Sequence, residues 1–164
     1  MNKFSVKGFT LIELLVVISI IGVLAGMGIA GAPMIMNRAK KTKAKSVING
    51  LQMALARYKN DYGVYPNDES PVTVMNDLTG YKDSPDKPDE IYLNDPDWKG
   101  PYFKIEIKDA DRGQRNRALL DPWKSPYQFN LSDPKYNAFS CDIYSFGPNG
   151  EDDKGKKDDV TNWR

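Results

Sequence analysis

Between Glu13 and Arg38 the chain carries no charged residue, so Leu14–Met36 is a run of 23 uncharged and mostly apolar positions. A bilayer crossing takes about 20 apolar residues, and this run is long enough. Lys3 and Lys7 precede it. A cleaved secretory signal has a shorter apolar centre and a small-x-small site at its far end, and this segment has neither. The reading is a retained membrane helix with nearly all of the protein on its C-terminal side. Arg38, Lys40, Lys41, Lys43 and Lys45 follow the run and outnumber the two lysines before it. On charge alone, that would put the far side in the cytoplasm.

Glu13 is the one charge within residues 9–36. A carboxylate in hydrocarbon costs a few kcal/mol and normally has a partner or a task. Two readings stand: tolerance near the membrane face, or a salt bridge to a cation also in the membrane. A cut after Gly8 would create such a cation, the amine of Phe9. It would lie about 6 Å along the helix axis from Glu13 of its own chain or within reach of a neighbouring copy's.

The net charge of +1 hides an asymmetry. Residues 1–8 carry +2, residues 9–60 carry seven basic residues against Glu13, and residues 61–164 carry 14 basic against 21 acidic ones. A positive stem and a negative head bear on association and orientation. An acidic head repels phosphates, so no nucleic-acid partner is expected. The chain has no His, which excludes His-based acid–base and nucleophile systems and His-ligated zinc. Its single cysteine, Cys141, excludes an internal disulfide framework and reads as a small buried hydrophobe. No carboxylate pair is spaced to support a hydrolase, and the chain reads as no enzyme.

Val47, Ile48, Leu51, Ala54, Leu55, Tyr58 and Tyr62 follow 3–4 spacing, so the helix continues beyond the membrane with one apolar stripe. Asn60–Gly63 reads as its end, with Gly63 in the left-handed cap position. Gly22, Gly26, Gly28, Gly31 and Pro33 predict a kink or a melted turn in its middle. The head holds ten of the eleven prolines and all three tryptophans. A short helix is expected at Val72–Leu78, and strands at Tyr102–Ile107, Tyr127–Leu131 and Tyr136–Tyr144. The expected fold is α+β: a long N-terminal helix packed on a small antiparallel sheet. Its segments are 1–8, a leader; 9–36, the membrane segment; 37–61, the amphipathic continuation; and 62–164, the head. Trp98 and Trp123, beside Gly or Pro, read as turn and core residues.

Residues 146–161 hold five carboxylates, Asn149 and three glycines. Calcium takes six to eight oxygens at flexible geometry, and a cation would order such a loop. A solvated acidic loop is the other reading, because Lys154, Lys156 and Lys157 offset much of the charge. Asp109 and Asp111 form a second, shorter acidic pair.

Lys7-Gly8-Phe9-Thr10-Leu11-Ile12-Glu13 resembles, without gaps, the class III signal of type IV pilins and type II secretion pseudopilins. The resemblance implies that a prepilin peptidase cuts between Gly8 and Phe9 and methylates Phe9. It also implies a cytoplasmic leader, which overrides the charge count. Tyr58–Pro66, Trp98–Tyr102, Asp121–Tyr127, Asp142–Gly147 and Asn162-Trp163 resemble segments of the major pseudopilin of type II secretion, in order. The departures are Lys124 where that family has Gly, a longer stretch at about 106–119, and about three extra residues before Pro33. The resemblance implies a pilin-like fold and one Ca²⁺ in the C-terminal loop. Its ligands would be Asn149, Asp158, Asp159 and the Phe146 carbonyl, with Asp152 or Asp153 as a substitute. Asn149 in place of the family's Asp, together with the lysines, implies weaker affinity. The implied function is a homopolymeric periplasmic pseudopilus, anchored in the inner membrane and working with minor pseudopilins and an inner-membrane platform to export folded proteins. A type IV pilin, a competence pseudopilin and an anchored calcium-binding domain that does not polymerise are the rivals.

Overall fold

The computed structural model describes residues 9–80, 96–105 and 118–164, with the side chains of 26–33 left aside. The leader with Gly8, the pair Asp109 and Asp111, and most of the 106–119 stretch lie outside the described residues. The chain divides into two compact units, Met1–Arg38 and Ala39–Arg164.

Helix α1, Leu11–Tyr62, runs through that division. It starts on a capping box. Thr10 N and Thr10 Oγ1 donate to Glu13 Oε2 at 2.8 and 2.6 Å, and Glu13 N donates back to Thr10 Oγ1 at 3.3 Å. This Thr-x-x-Glu pattern satisfies donors that a helix start leaves free. The helix is unbroken from Gly22 through Pro33, so the melted turn expected there is not formed. Large apolar side chains in the described part of the first unit stand exposed, from Phe9 and Leu11 to Val23, Leu24 and Met34–Met36. Among the described residues, no helix is long and apolar enough to cross a membrane.

In the second unit the sequence stripe becomes the core. Ala44, Ile48, Leu51, Ala54 and Leu55 are buried, with Val47 and Tyr58 packed against them. The helix stops where Gly63, at φ 78°, donates to the Lys59 carbonyl at 2.8 Å. Helix α2, Pro71–Thr79, begins with Pro in its first turn and ends on Gly80 at φ 71°. It buries Val74, Met75 and Leu78 in the same apolar cluster as the α1 stripe.

Three short strands close the core: β1, Gln128–Asn130; β2, Asp142–Ser145; and β3, Val160–Thr161. They form one antiparallel sheet in the order β1-β2-β3, with Phe129 opposite Ile143 and Ser145 opposite Val160. Tyr127, Phe129, Leu131, Cys141, Ile143 and Val160 complete the apolar cluster.

Two strand expectations need correction. Residues 102–105 are not a strand: Tyr102 N and Phe103 N both donate to the Leu78 carbonyl, so this segment is tied to the end of α2. Residues 136–141 are a turn. The buried Asp142 carboxylate accepts from the backbone amides of Lys135, Tyr136 and Asn137 at 2.6, 3.0 and 2.9 Å, and these amides are lost to any ladder.

Candidate functional site: the C-terminal acidic loop

The loop after β2 is built on two neighbours. On one side, Asp121 is buried and organises the Asp121–Pro126 turn. Its Oδ1 accepts from Trp123 N and Ser125 N at 2.8 and 2.9 Å, and its Oδ2 accepts from Ser145 Oγ at 2.5 Å. Lys124 sits in this turn at φ 80°, a conformation that glycine takes without strain. On the other side, Asn162 returns to β2. Its Oδ1 accepts from Ile143 N at 3.0 Å and its Nδ2 donates to the Cys141 carbonyl at 2.8 Å. Trp163 then stacks on Tyr136 with ring centroids 4.5 Å apart. A Cβ at Gly155 would overlap the Trp163 ring, so the loop can lie on that ring only with glycine there.

Between these supports the acidic groups gather. Phe146 leads into a short 3-10 turn, Gly147–Asn149, and Gly147 at φ 67° presses against the Asp158 backbone. Asn149 N donates to Asp158 Oδ2 at 3.0 Å. Asn149 Nδ2 donates to Asp153 Oδ2 at 2.9 Å, and Lys157 Nζ forms an ion pair with Asp153 Oδ1 at 2.7 Å. Asp159 turns to Gly155. Its Oδ2 accepts from Gly155 N at 2.7 Å, and its Oδ1 is buried with no hydrogen-bond partner. Burial pushes the Asp159 carboxyl up, and the negative charges of Asp153, Asp152 and Asp158 push the same way. Burial beside Asp152 and Asp159 pushes the Tyr144 phenol up to about 12. Lys157 shifts upward through its bond to Asp153, helped by Glu151 and Asp158.

Of the four expected loop ligands, Asn149 and Asp158 meet directly and Phe146 leads into the same turn. Asp159 makes no bond to them and feels the charges of Asp158 and Asp153. Asp153, expected only as a substitute, is joined to Asn149. Among the described residues, no group of three acidic or thiol side chains is drawn together closely enough to hold a metal ion. The donor chemistry nonetheless suits a hard cation: five carboxylates, one of them, Asp159, with a buried oxygen without a partner, and one amide. The Lys157–Asp153 pair is not legible in the sequence: its i, i+4 spacing is there, but a loop gives no reason to read that spacing as contact.

In the first unit, Glu13 is bound to Thr10, as described. In the uncut chain Phe9 N is an amide, so the ion pair with Glu13 needs the cut to exist. The Thr-x-x-Glu cap is a second role for Glu13 that the motif itself displays.

An N-terminal helix opening on this box, with its second half packed on a small antiparallel sheet, defines a pilin-like subunit. Residues 3–29 match the prokaryotic N-terminal methylation motif, and residues 34–163 match the family of type II secretion system protein G. The chain belongs to the type II secretion system protein G family. It is 34% identical to the core protein G of Aeromonas hydrophila, over 99% of this chain and 96% of the relative. It is 34% identical to that of Escherichia coli K12, over 96% and 90%, and 32% identical to that of Pseudomonas aeruginosa, over 99% of each. Among solved structures, the major pseudopilin of the type 2 secretion system of enterohaemorrhagic Escherichia coli aligns with a TM-score of 0.46 and 23% identity, covering 79% of this chain and 87% of that one. The family is structural, and the chain is no enzyme.

Proposed function

We propose that the chain is the subunit of a periplasmic pseudopilus, anchored in the inner membrane by residues 9–36 until it joins the fibre. A contiguous exposed apolar surface marks a protein or membrane contact. The row from Phe9 to Leu24 is the observation that carries this reading, together with family membership. Prepilin peptidase would cut between Gly8 and Phe9. The new Phe9 amine would then compete with Thr10 for the Glu13 carboxylate, either its own or a neighbour's. A charged pair in an apolar fibre core is costly to leave incomplete, so it sets the register at which each subunit joins.

Glu13→Ala is expected to insert and lose its leader normally, with assembly reduced at least tenfold in a crosslinking assay. Mass spectrometry of the mature N-terminus should give methylated Phe9. Normal fibres from Glu13→Ala would refute the register role. An uncut leader would leave only an anchored domain that does not polymerise.

The acidic loop is proposed to take one Ca²⁺ through Asn149, Asp158, Asp159 and the Phe146 carbonyl, with Asp153 beside them. Bound calcium supplies charge neutralisation for the loop. The support for this is the buried Asp159 oxygen without a partner and the mutual repulsion of the carboxylates around it. At a hundredfold excess over its dissociation constant, calcium should raise the melting temperature of the 39–164 unit in the full chain by roughly 10 °C. Identical melting in calcium and in chelator would sink the site.

A further inference from the structure

The loop brings its own cation. Lys157 Nζ lies 2.7 Å from Asp153 Oδ1, on the carboxylate whose other oxygen holds Asn149. Asn149 in turn holds Asp158 through its backbone amide. Lys157 is therefore tied through Asp153 to two of the residues proposed to hold calcium. Glu151 and Asp158 also act on it electrostatically. Its backbone is at φ 42° and that of Lys154 at φ 54°, left-handed conformations that strain an L-residue. The turn between Asp153 and Asp159 tolerates this strain while Lys156 N donates to the Asp153 carbonyl and Asp159 N donates to the Lys156 carbonyl.

An ammonium on a flexible stem is a monovalent point charge with three donors. It can neutralise one carboxylate and hold the loop together. It cannot satisfy the buried Asp159 Oδ1, which stays without a partner while Lys157 sits at Asp153. Two closed arrangements therefore compete for the same loop: one closed by the tethered lysine on Asp153, whose charge also acts on Asp158, and one closed by a divalent ion that binds Asp158 and also reaches Asp159.

We infer that Lys157 is a built-in competitor for the divalent cation, holding the Asn149–Asp153–Asp158 side of the loop closed in its absence and weakening calcium binding when it is present. This rests on the calcium reading above, and it assigns the weakening to one lysine and one contact. Lys156 lies exposed on the same turn and gives the control for bulk charge.

The test is calorimetric titration of the full chain in detergent with calcium chloride, comparing wild type, Lys157→Gln, Lys157→Arg and Lys156→Gln. Lys157 is 70% exposed, so Lys157→Gln should bind calcium about three- to fivefold tighter, the scale of one solvent-exposed ion pair. Lys157→Arg, which keeps the charge, should bind within about twofold of wild type, as should Lys156→Gln. In chelator, Lys157→Gln should melt below wild type, and saturating calcium should erase that gap. The near-ultraviolet signal of the stacked Trp163 reports whether each variant is folded. Equal affinities for wild type and Lys157→Gln overturn the competition and leave the calcium site standing. The same gain from Lys156→Gln overturns it too, because only net charge would then matter. No heat from any variant overturns the calcium site and the competition together.

Discussion

Lys124 shows how a single position can carry strain that its neighbours hold in place. Its φ of 80° lies between two amides, of Trp123 and Ser125, that the Asp121 carboxylate holds. Lys124 N itself donates to the Asp121 carbonyl at 3.1 Å, closing the turn. The side chain is exposed, so it gains little from packing. The protein G family resemblance puts glycine at this position, and the left-handed backbone explains why. Lys124→Gly should raise stability by about 1 kcal/mol, the strain relieved less the extra freedom of glycine in the unfolded chain. Chemical denaturation measures it, with an unchanged m-value expected. A loss of stability would mean that the lysine stem packs on its surroundings more than its exposure indicates.

At the scale of elements, periodicity was readable and hydrogen-bond routing was not. The stripe from Val47 to Tyr62 marks the packed half of α1, and the short helix expected at Val72–Leu78 is α2, Pro71–Thr79. Tyr102–Ile107 alternates like a strand, yet its first amides go to the Leu78 carbonyl. That choice depends on where α2 ends in space, which no local pattern records. Strand β3 is two residues long, too short for any period, and is defined by Ser145 opposite Val160. The acidity of the loop is legible as composition, whereas the contacts that Asp158 makes with Asn149 and Asp159 with Gly155 depend on the fold of the loop. Helix α2 also carries a local conflict. Asp77 lies in its last turn, where a negative charge opposes the helix dipole. It is half-buried, and burial pushes its carboxyl up, with the charge of Asp68 adding to the shift. A carboxyl raised in the folded state lowers stability at neutral pH. That cost disappears as pH falls through the raised value to the ordinary one near about 4. Asp77→Asn should therefore melt higher than wild type at pH 7, and the two should converge below about pH 4. A constant gap across that range would place the effect in packing rather than charge.

For the whole molecule, the separation of charge is the property that the fold leaves unspent. Residues 9–60 carry +6 and residues 61–164 carry −7, by the counts above. Within the 39–164 unit the two signs are only partly paired. Lys45 is occupied, donating to the Thr161 carbonyl at 2.5 Å and to the main-chain oxygen of Arg164. Lys41 lines an open groove of about 560 Å³ with Lys45, Asn49 and Arg164. Lys40, one position earlier on α1, stands half-exposed. If subunits pack side by side in a fibre, this basic band can meet acidic heads of other copies. Partly desolvated pairs of that kind set specificity and association rate more than cohesion, which comes from apolar burial. Reversing both charges, Lys40→Glu with Lys41→Glu, should leave the fold and leader cleavage intact and cut fibre yield several-fold. Wild-type yield should fall as salt is raised from about 0.05 to 0.5 M, across which screening shortens from about 14 to 4 Å. The double variant should lose most of that salt dependence. Yield and salt response identical to wild type would show that the stem's charges face water or lipid headgroups and take no part in joining subunits.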